Sequence, residues 1–211
     1  LFCKYILGAK LFITFHGTDA NHLPRSRILR ALVRRADKVC YVSTAMRQSM
    51  ESAVPDDRLL YTPNGVDTAA FPPGNEERQP KSLMVGSLRW QKGYPDALDA
   101  FSKFHENRPD WRLDIAGVGP LHDELEARAR EMHLEDSVRF LGMRSRDQVA
   151  ALMRESRLFL LSSVSEGFPK VLLEASASGL PIVTTDVGSC RDLVEEGVGL
   201  AVEAGNPDAI T

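Results

Sequence analysis

From about residue 81 onward, short apolar runs alternate with longer stretches in which apolar residues recur every three to four positions. The runs 83–86, 112–116, 138–141, 158–161 and 182–185 read as strands, and 94–107, 120–132, 146–155 and a stretch beginning at Pro169 as helices. Strands that each give way to a helix predict a parallel sheet covered on both faces. The same alternation runs through the first part of the chain. There, strand 11–15 is followed by a helix at 26–38 with Ile28, Leu29, Leu32, Val33 and Ala36 on one side, then strand 39–43, helix 44–53 and strand 59–61. Pro63-Asn64-Gly65-Val66-Asp67 is turn chemistry, and residues 71–80 shift to Pro, Gly and charge, which marks the link. The expected fold class is α/β with two doubly wound parallel-sheet domains, 1–75 and 76–211, the first having too few strands for a sheet of usual size.

The stretch Ser165-Glu166-Gly167-Phe168-Pro169 organises the candidate chemistry. Proline fixes its own φ and pushes Phe168 out of the helical region, so a helix is expected to begin at Pro169, with Glu166 in the loop before it and Glu174 in its second turn. The residues up to Leu180 are mostly apolar or small, so this helix is expected to be largely buried, and a carboxylate inside it needs a reason. Free N–H groups at a helix start suit phosphate oxygens, Gly167 permits close backbone approach, and an ionised Glu174 can accept from a pair of hydroxyls such as those of a ribose. The junction therefore reads as a nucleotide-diphosphate seat with an extra acid. The alternative is a buried Glu174 satisfied by backbone donors and a Glu166 in solvent.

Composition changes this picture little. The 211 residues are 43% hydrophobic and 26% charged with a net charge of −3, ordinary for a globular protein and without a global pull toward nucleic acid. Cys3, Cys40 and Cys190 lie far apart with no Cys-x-x-Cys, which argues against a disulfide framework or thiolate metal site and fits a reducing cytoplasm. The opening segment, interrupted by Lys4 and Lys10, is too short to span a bilayer. The absence of an initiating Met and the abrupt stop at Asn206-Pro207-Asp208-Ala209-Ile210-Thr211 suggest a piece of a longer protein. Arg25, Arg27, Arg30, Arg34, Arg35 and Lys38 make 25–38 a basic amphipathic segment, either a solvated face or a docking surface for anionic lipid or an anionic acceptor.

Gly117-Val118-Gly119-Pro120-Leu121-His122 follows a strand, but His122 stands where a dinucleotide fingerprint needs its third glycine, so a tight strand-to-helix turn is the better reading. No P-loop is present. Arg89 and Lys92 sit on the loop after the first strand of the second domain, where an ammonium can neutralise a diphosphate or simply stay solvated. His16, beside Gly17 and Asp19 at a strand end, could contact a substrate hydroxyl or be an ordinary polar residue; the other histidines lack metal-ligand spacing.

Taken in order, His16-Gly17-Thr18-Asp19, Pro63-Asn64-Gly65-Val66-Asp67, Val85-Gly86 with Lys92-Gly93, Ala116-Gly117-Val118-Gly119-Pro120, 138–142 and the Glu166…Glu174 junction closely resemble family 4 of the retaining, nucleotide-sugar-dependent glycosyltransferases of GT-B fold. That resemblance implies two Rossmann-like domains and a hexose-type sugar moved from a nucleoside diphosphate to a hydroxyl acceptor with retention of configuration. Glu174 would hold the donor ribose, Lys92 the pyrophosphate, Met143 the base through its backbone, and Gly167 and Phe168 the sugar and phosphates. Glu166 would face the anomeric carbon, and His16 would reach the transferred sugar, with Gly17 and Asp19 beside it. The resemblance also implies no metal and no cofactor beyond the donor, and a saccharide or lipid-linked acceptor. The net charge gives no nucleic-acid partner, the cysteine usage a cytoplasmic protein, and the basic segment 25–38 leaves open peripheral contact at the inner membrane face.

Two departures stand out. Ser87 occupies the place where many members carry arginine, leaving Arg89 as the stand-in phosphate cation, and the glycine-rich loop that opens the family's first domain has no counterpart. The competing expectations are a nucleotide-sugar epimerase on the same fold and an inactive nucleotide-binding fragment.

Overall fold

The computed structural model describes residues 2–17, 20, 22–23, 25–74, 77–194 and 197–211. By chain contacts it divides into two units: residues 1–65 together with 166–168, and residues 66–165 together with 169–211.

The first unit contains α1 (Phe2–Leu7), β1 (Phe12–Phe15), α2 (Arg27–Val33), β2 (Lys38–Tyr41), α3 (Thr44–Glu51) and β3 (Leu59–Tyr61). Its three strands are parallel in the order β1-β2-β3, with Phe15 opposite Tyr41 and Tyr41 opposite Tyr61. Val39, Cys40 and Tyr41 of the central strand are all buried, as expected for a parallel strand covered on both faces. α2 is shorter than the periodicity predicts. It starts where the Ser26 hydroxyl accepts from the Leu29 N–H, and after Arg34 the chain turns toward β2. Val33 and Ala36 are buried and Leu29 packs against the core, but Ile28, expected on the same side, is 74% exposed.

The second unit contains β4 (Gln79–Val85), α4 (Tyr94–Asn107), β5 (Arg112–Ala116), α5 (His122–Glu131), β6 (Val138–Gly142), α6 (Arg146–Glu155), β7 (Ser156–Leu161), α7 (Lys170–Ala177), β8 (Ile182–Thr185), β9 (Gly199–Val202) and α8 (Pro207–Ile210). All six strands are parallel, in the order β6-β5-β4-β7-β8-β9. The chain enters mid-sheet at β4, winds outward to β6, then returns to β7 beside β4 and winds the other way. One face carries a core of Leu83, Met153, Phe159, Leu172 and Ile182; the other carries Met84, Leu98, Leu113, Ile115 and Leu125.

The join between units falls earlier than the composition shift at 71–80. Phe71 is 1% exposed in the second unit's core, with Val66 and Ala70 packed against the same cluster, so 66–74 belong to the second unit, and β4 already begins at Gln79. Arg78 ties this stretch down. Its guanidinium donates to the carbonyls of Met153 and Ser156 at 3.0 and 2.9 Å and to those of Ser178 and Gly179 at 2.8 and 3.0 Å, closing the carboxyl ends of α6 and α7. Cys40 and Cys190 are buried, one in each interior. No helix among the described residues is long and apolar enough to cross a membrane.

Candidate active site

Strand order locates the site in the second unit. β4 has β5 on one side and β7 on the other, so the loops leaving β4 and β7 diverge and open a crevice at their carboxyl ends, where doubly wound sheets bind ligands. The loop after β4 is fixed to β7 by backbone chemistry. The Ser162 hydroxyl donates to the carbonyls of Lys92 and Gly93 at 3.0 and 2.9 Å, and the Val164 N–H donates to the carbonyl of Gln91 at 2.9 Å. Gly93 adopts φ +59, and a Cβ there would collide with the Ser162 carbonyl, so the contact requires glycine twice over. This clamp holds the turn Trp90–Lys92 and lays the half-buried Lys92 side chain over Gly86, where a Cβ on Gly86 would sit 3.6 Å from the lysine Cε.

Beside it, at the ends of β4, β5 and β6, lies a cleft of about 220 Å³ lined by Gly86, Ser87, Gly117, Val118, Met143 and Arg144 among others. A Cβ on Gly117 would strike the Gly86 carbonyl, and one on Gly119 the Leu88 backbone. These glycines serve the close approach of two loops, and α5 begins only at His122, two residues beyond Pro120. Met143, part of the lining, is 71% exposed. Arg89 is exposed, and its side chain has no partner among those described that would fix it toward Lys92.

α7 begins at Lys170, one residue later than expected. Pro169 precedes the first turn in an extended conformation, φ −76 and ψ 98, and Gly179 at φ +63 ends the helix. Glu174 is half-buried in the second turn between buried Leu172 and Ala175. Burial raises its pKa above the ordinary carboxylate value, against the pull of Arg146 and Lys170. Arg146, at the start of α6, is held by Asp67 at 3.5 Å and lies 5.3 Å from the centre of the Phe71 ring. Sequence reading passed over Arg146, because its partners are almost eighty residues away and nothing in its own neighbourhood marks it.

The remaining candidates lie in the first unit. His16 and Gly17 follow β1, His16 exposed. The segment Glu166–Phe168 is part of this unit: Phe168 packs against its core, and a Cβ on Gly167 would run into the Gly17 Cα and come within 3.3 Å of the His16 carbonyl. Two glycines distant in sequence thus share one backbone contact. Asp19 lies outside the described residues. Among the described residues no three His, Cys, Asp or Glu side chains converge as a metal site.

Comparison with known proteins agrees with this architecture. A family profile described as glycosyl transferases group 1 matches residues 66–211, and one described as Glycosyltransferase Family 4 matches 1–70. The chain belongs to the group 1 glycosyl transferases. It is 30% identical over 225 residues to N-acetyl-alpha-D-glucosaminyl L-malate synthase of Bacillus anthracis, a match covering 98% of this chain and 58% of that protein. It is 31% identical over 218 residues to the lipopolysaccharide core biosynthesis mannosyltransferase LpsB of Rhizobium meliloti, covering 94% and 60%. The group 1 chain spans, then, a little over half the length of these relatives. Its fold superposes on Anabaena HepE, crystallised in complex with UDP and glucose, with a TM-score of 0.84 and 22% identity over 98% of this chain and 61% of that one. The GT-B fold expected from the sequence therefore holds, with parallel α/β sheets in both units.

Proposed function

We propose that this chain carries the donor seat of an enzyme that moves a hexose-type sugar from a nucleoside diphosphate to a hydroxyl acceptor with retention of configuration. The observation that carries the reading is the Lys92 side chain over Gly86 at the reversal of the parallel sheet, because a fixed ammonium there meets a diphosphate held at the strand ends. Glu174 accepts from the ribose hydroxyls, the cleft beside Met143 takes the base, and the Gly167 and Phe168 backbone lies along sugar and phosphate. Glu166 faces the anomeric carbon, and His16 acts on the transferred sugar, with donor-binding roles for Gly17 and Asp19. Arg89, exposed on the same loop, supplies the second phosphate cation in place of the arginine missing at Ser87 only where that loop turns it inward. The bond from the anomeric carbon to the phosphate oxygen breaks and its electron pair leaves on the diphosphate. The acceptor oxygen bonds to the same face of that carbon, and its proton passes to the departing phosphate. No metal or further cofactor takes part.

In the full-length protein, Glu174→Ala is expected to weaken nucleotide-sugar binding, seen as a raised Kd, while Glu166→Ala mainly lowers kcat. Wild-type binding and turnover in both variants reject the assignment.

Acidity adds a second test, in which binding and stability move in opposite directions. Only the ionised Glu174 accepts from two hydroxyls. Since its pKa is raised, donor affinity should begin to fall, as pH drops, above the range of an ordinary glutamate. The contribution of Glu174 to folding is fully present below its unfolded pKa and is lost as pH rises through the higher folded one. Glu174→Gln should flatten both profiles; an unchanged acid limb in donor titrations by calorimetry removes Glu174 from the ribose site.

A further inference from the structure

The cleft at the carboxyl ends of β4, β5 and β6 is hydrocarbon over most of its wall. Among the described residues that line it, Val85, Ala116, Val118 and Val149 offer apolar surface, and the polar side chains are Ser87 and Arg144. Apolar walls suit the faces of a flat ring, and the few polar groups then decide which ring. A serine hydroxyl donates or accepts and fits either kind of edge. A guanidinium only donates.

Arg144 is half-buried, while Met143, Ser145 and Arg146 around it are exposed. Its backbone stands between two fixed points. On one side the Gly117 N–H donates to the Gly142 carbonyl at 2.9 Å, and Gly142 turns the chain at φ +69. On the other a capping box opens α6, where the Ser145 hydroxyl accepts from the Gln148 N–H at 3.3 Å and the Gln148 side chain accepts from the Ser145 N–H at 2.9 Å. A ligand that meets Arg144 therefore has little loop left to order. The guanidinium donates to the Met143 carbonyl at 3.0 Å, and among the described residues it has no acidic partner. That one bond has two effects on the cleft. It engages the backbone acceptor that would suit an amino group, and it leaves further N–H donors of Arg144 for an incoming carbonyl.

We infer that the Arg144 side chain selects the base of the donor, favouring uracil and guanine, which present an exocyclic carbonyl oxygen, over cytosine and adenine, which present an amino group there. The inference rests on the donor-seat reading above and deepens it. An amino group sets N–H against N–H and leaves the half-buried cation's donors unpaired, which is how a hydrogen-bonding site rejects the wrong ligand. Full-length protein is titrated by calorimetry with UDP, GDP, CDP and ADP. UDP and GDP are expected to bind roughly tenfold or more tightly than CDP and ADP. Arg144→Ala should bring all four within a few-fold of one another. Arg144→Gln, whose amide pairs with the N6 and N7 edge of adenine, should raise ADP affinity while lowering that for GDP. A merely structural role for Arg144 would shift the four together and leave their order unchanged. Lys92→Ala, on the phosphate side, should weaken all four alike. If it does not, or if wild-type protein binds none of the four, the donor-seat reading fails and this inference with it. If the four bind wild type equally, or if Arg144→Ala keeps their order, the inference alone is overturned and the donor seat stands.

Discussion

Asp114→Ala is expected to destabilise the second unit by about 3–5 kcal/mol, the loss typical of removing one member of a buried ionic network. Asp114 is 0% exposed in the middle of β5, and Arg139 on β6 grips both of its oxygens at 2.7 Å. Lys81 on β4, itself 3% exposed, lies 3.7 Å from the same carboxylate and 2.9 Å from Glu155. The hydrogen bond from Arg139 to Asp114 outweighs burial and raises the arginine's pKa. Without the carboxylate, Lys81 keeps only the more exposed Glu155 and Arg139 loses its bidentate partner, so two cations remain at the sheet with one acid between them. Denaturant unfolding followed by circular dichroism measures the loss as a lowered midpoint at constant slope. A loss below about 1 kcal/mol, the level of surface pairs, would mean that water relieves the site.

The second large effect is catalytic. On the proposed leaving-group role, Lys92→Ala in the full-length protein should lower kcat by about 10²–10³, the usual consequence of removing one preorganised group that stabilises developing charge. Lys92→Arg should recover little, because a planar guanidinium spreads its charge over a fork where the lysine against Gly86 presents one compact ammonium. Steady-state turnover with a nucleotide-sugar donor reads the change directly, and a variant that turns over within a few-fold of wild type sinks the leaving-group role.

Much of the second unit was legible because local and global signals agree there. The helices Tyr94–Asn107 and Arg146–Glu155 and the strands Arg112–Ala116 and Ile182–Thr185 have the bounds their periodicity predicts. The strand Gly199–Val202 escaped notice because it opens on a glycine and carries a single β-branched residue, and only the sheet explains that glycine. A Cβ there would meet the Ile182 carbonyl. Ions inside strands were equally hidden. Lys81 and Asp114 look like solvent positions until the register brings β4, β5 and β6 together. Of the candidate site, the loop after β4 and the acid in α7 could be picked out by residue type and spacing. The company each keeps could not, since Arg146 finds Asp67 and Phe71, and Gly167 finds Gly17, only through the folded chain.

The excursion of Glu166–Phe168 into the first unit has a consequence for how this protein can be taken apart. A cut between Gly65 and Val66 separates the chain at one crossing, but the polypeptide crosses again on either side of these three residues. Residues 66–211 made alone would carry an orphaned Phe168 with its burial site left behind, immediately ahead of the helix that bears Glu174. The two halves are stitched at three places, and a shuffled chimera would have to inherit that short loop together with the half it rests on.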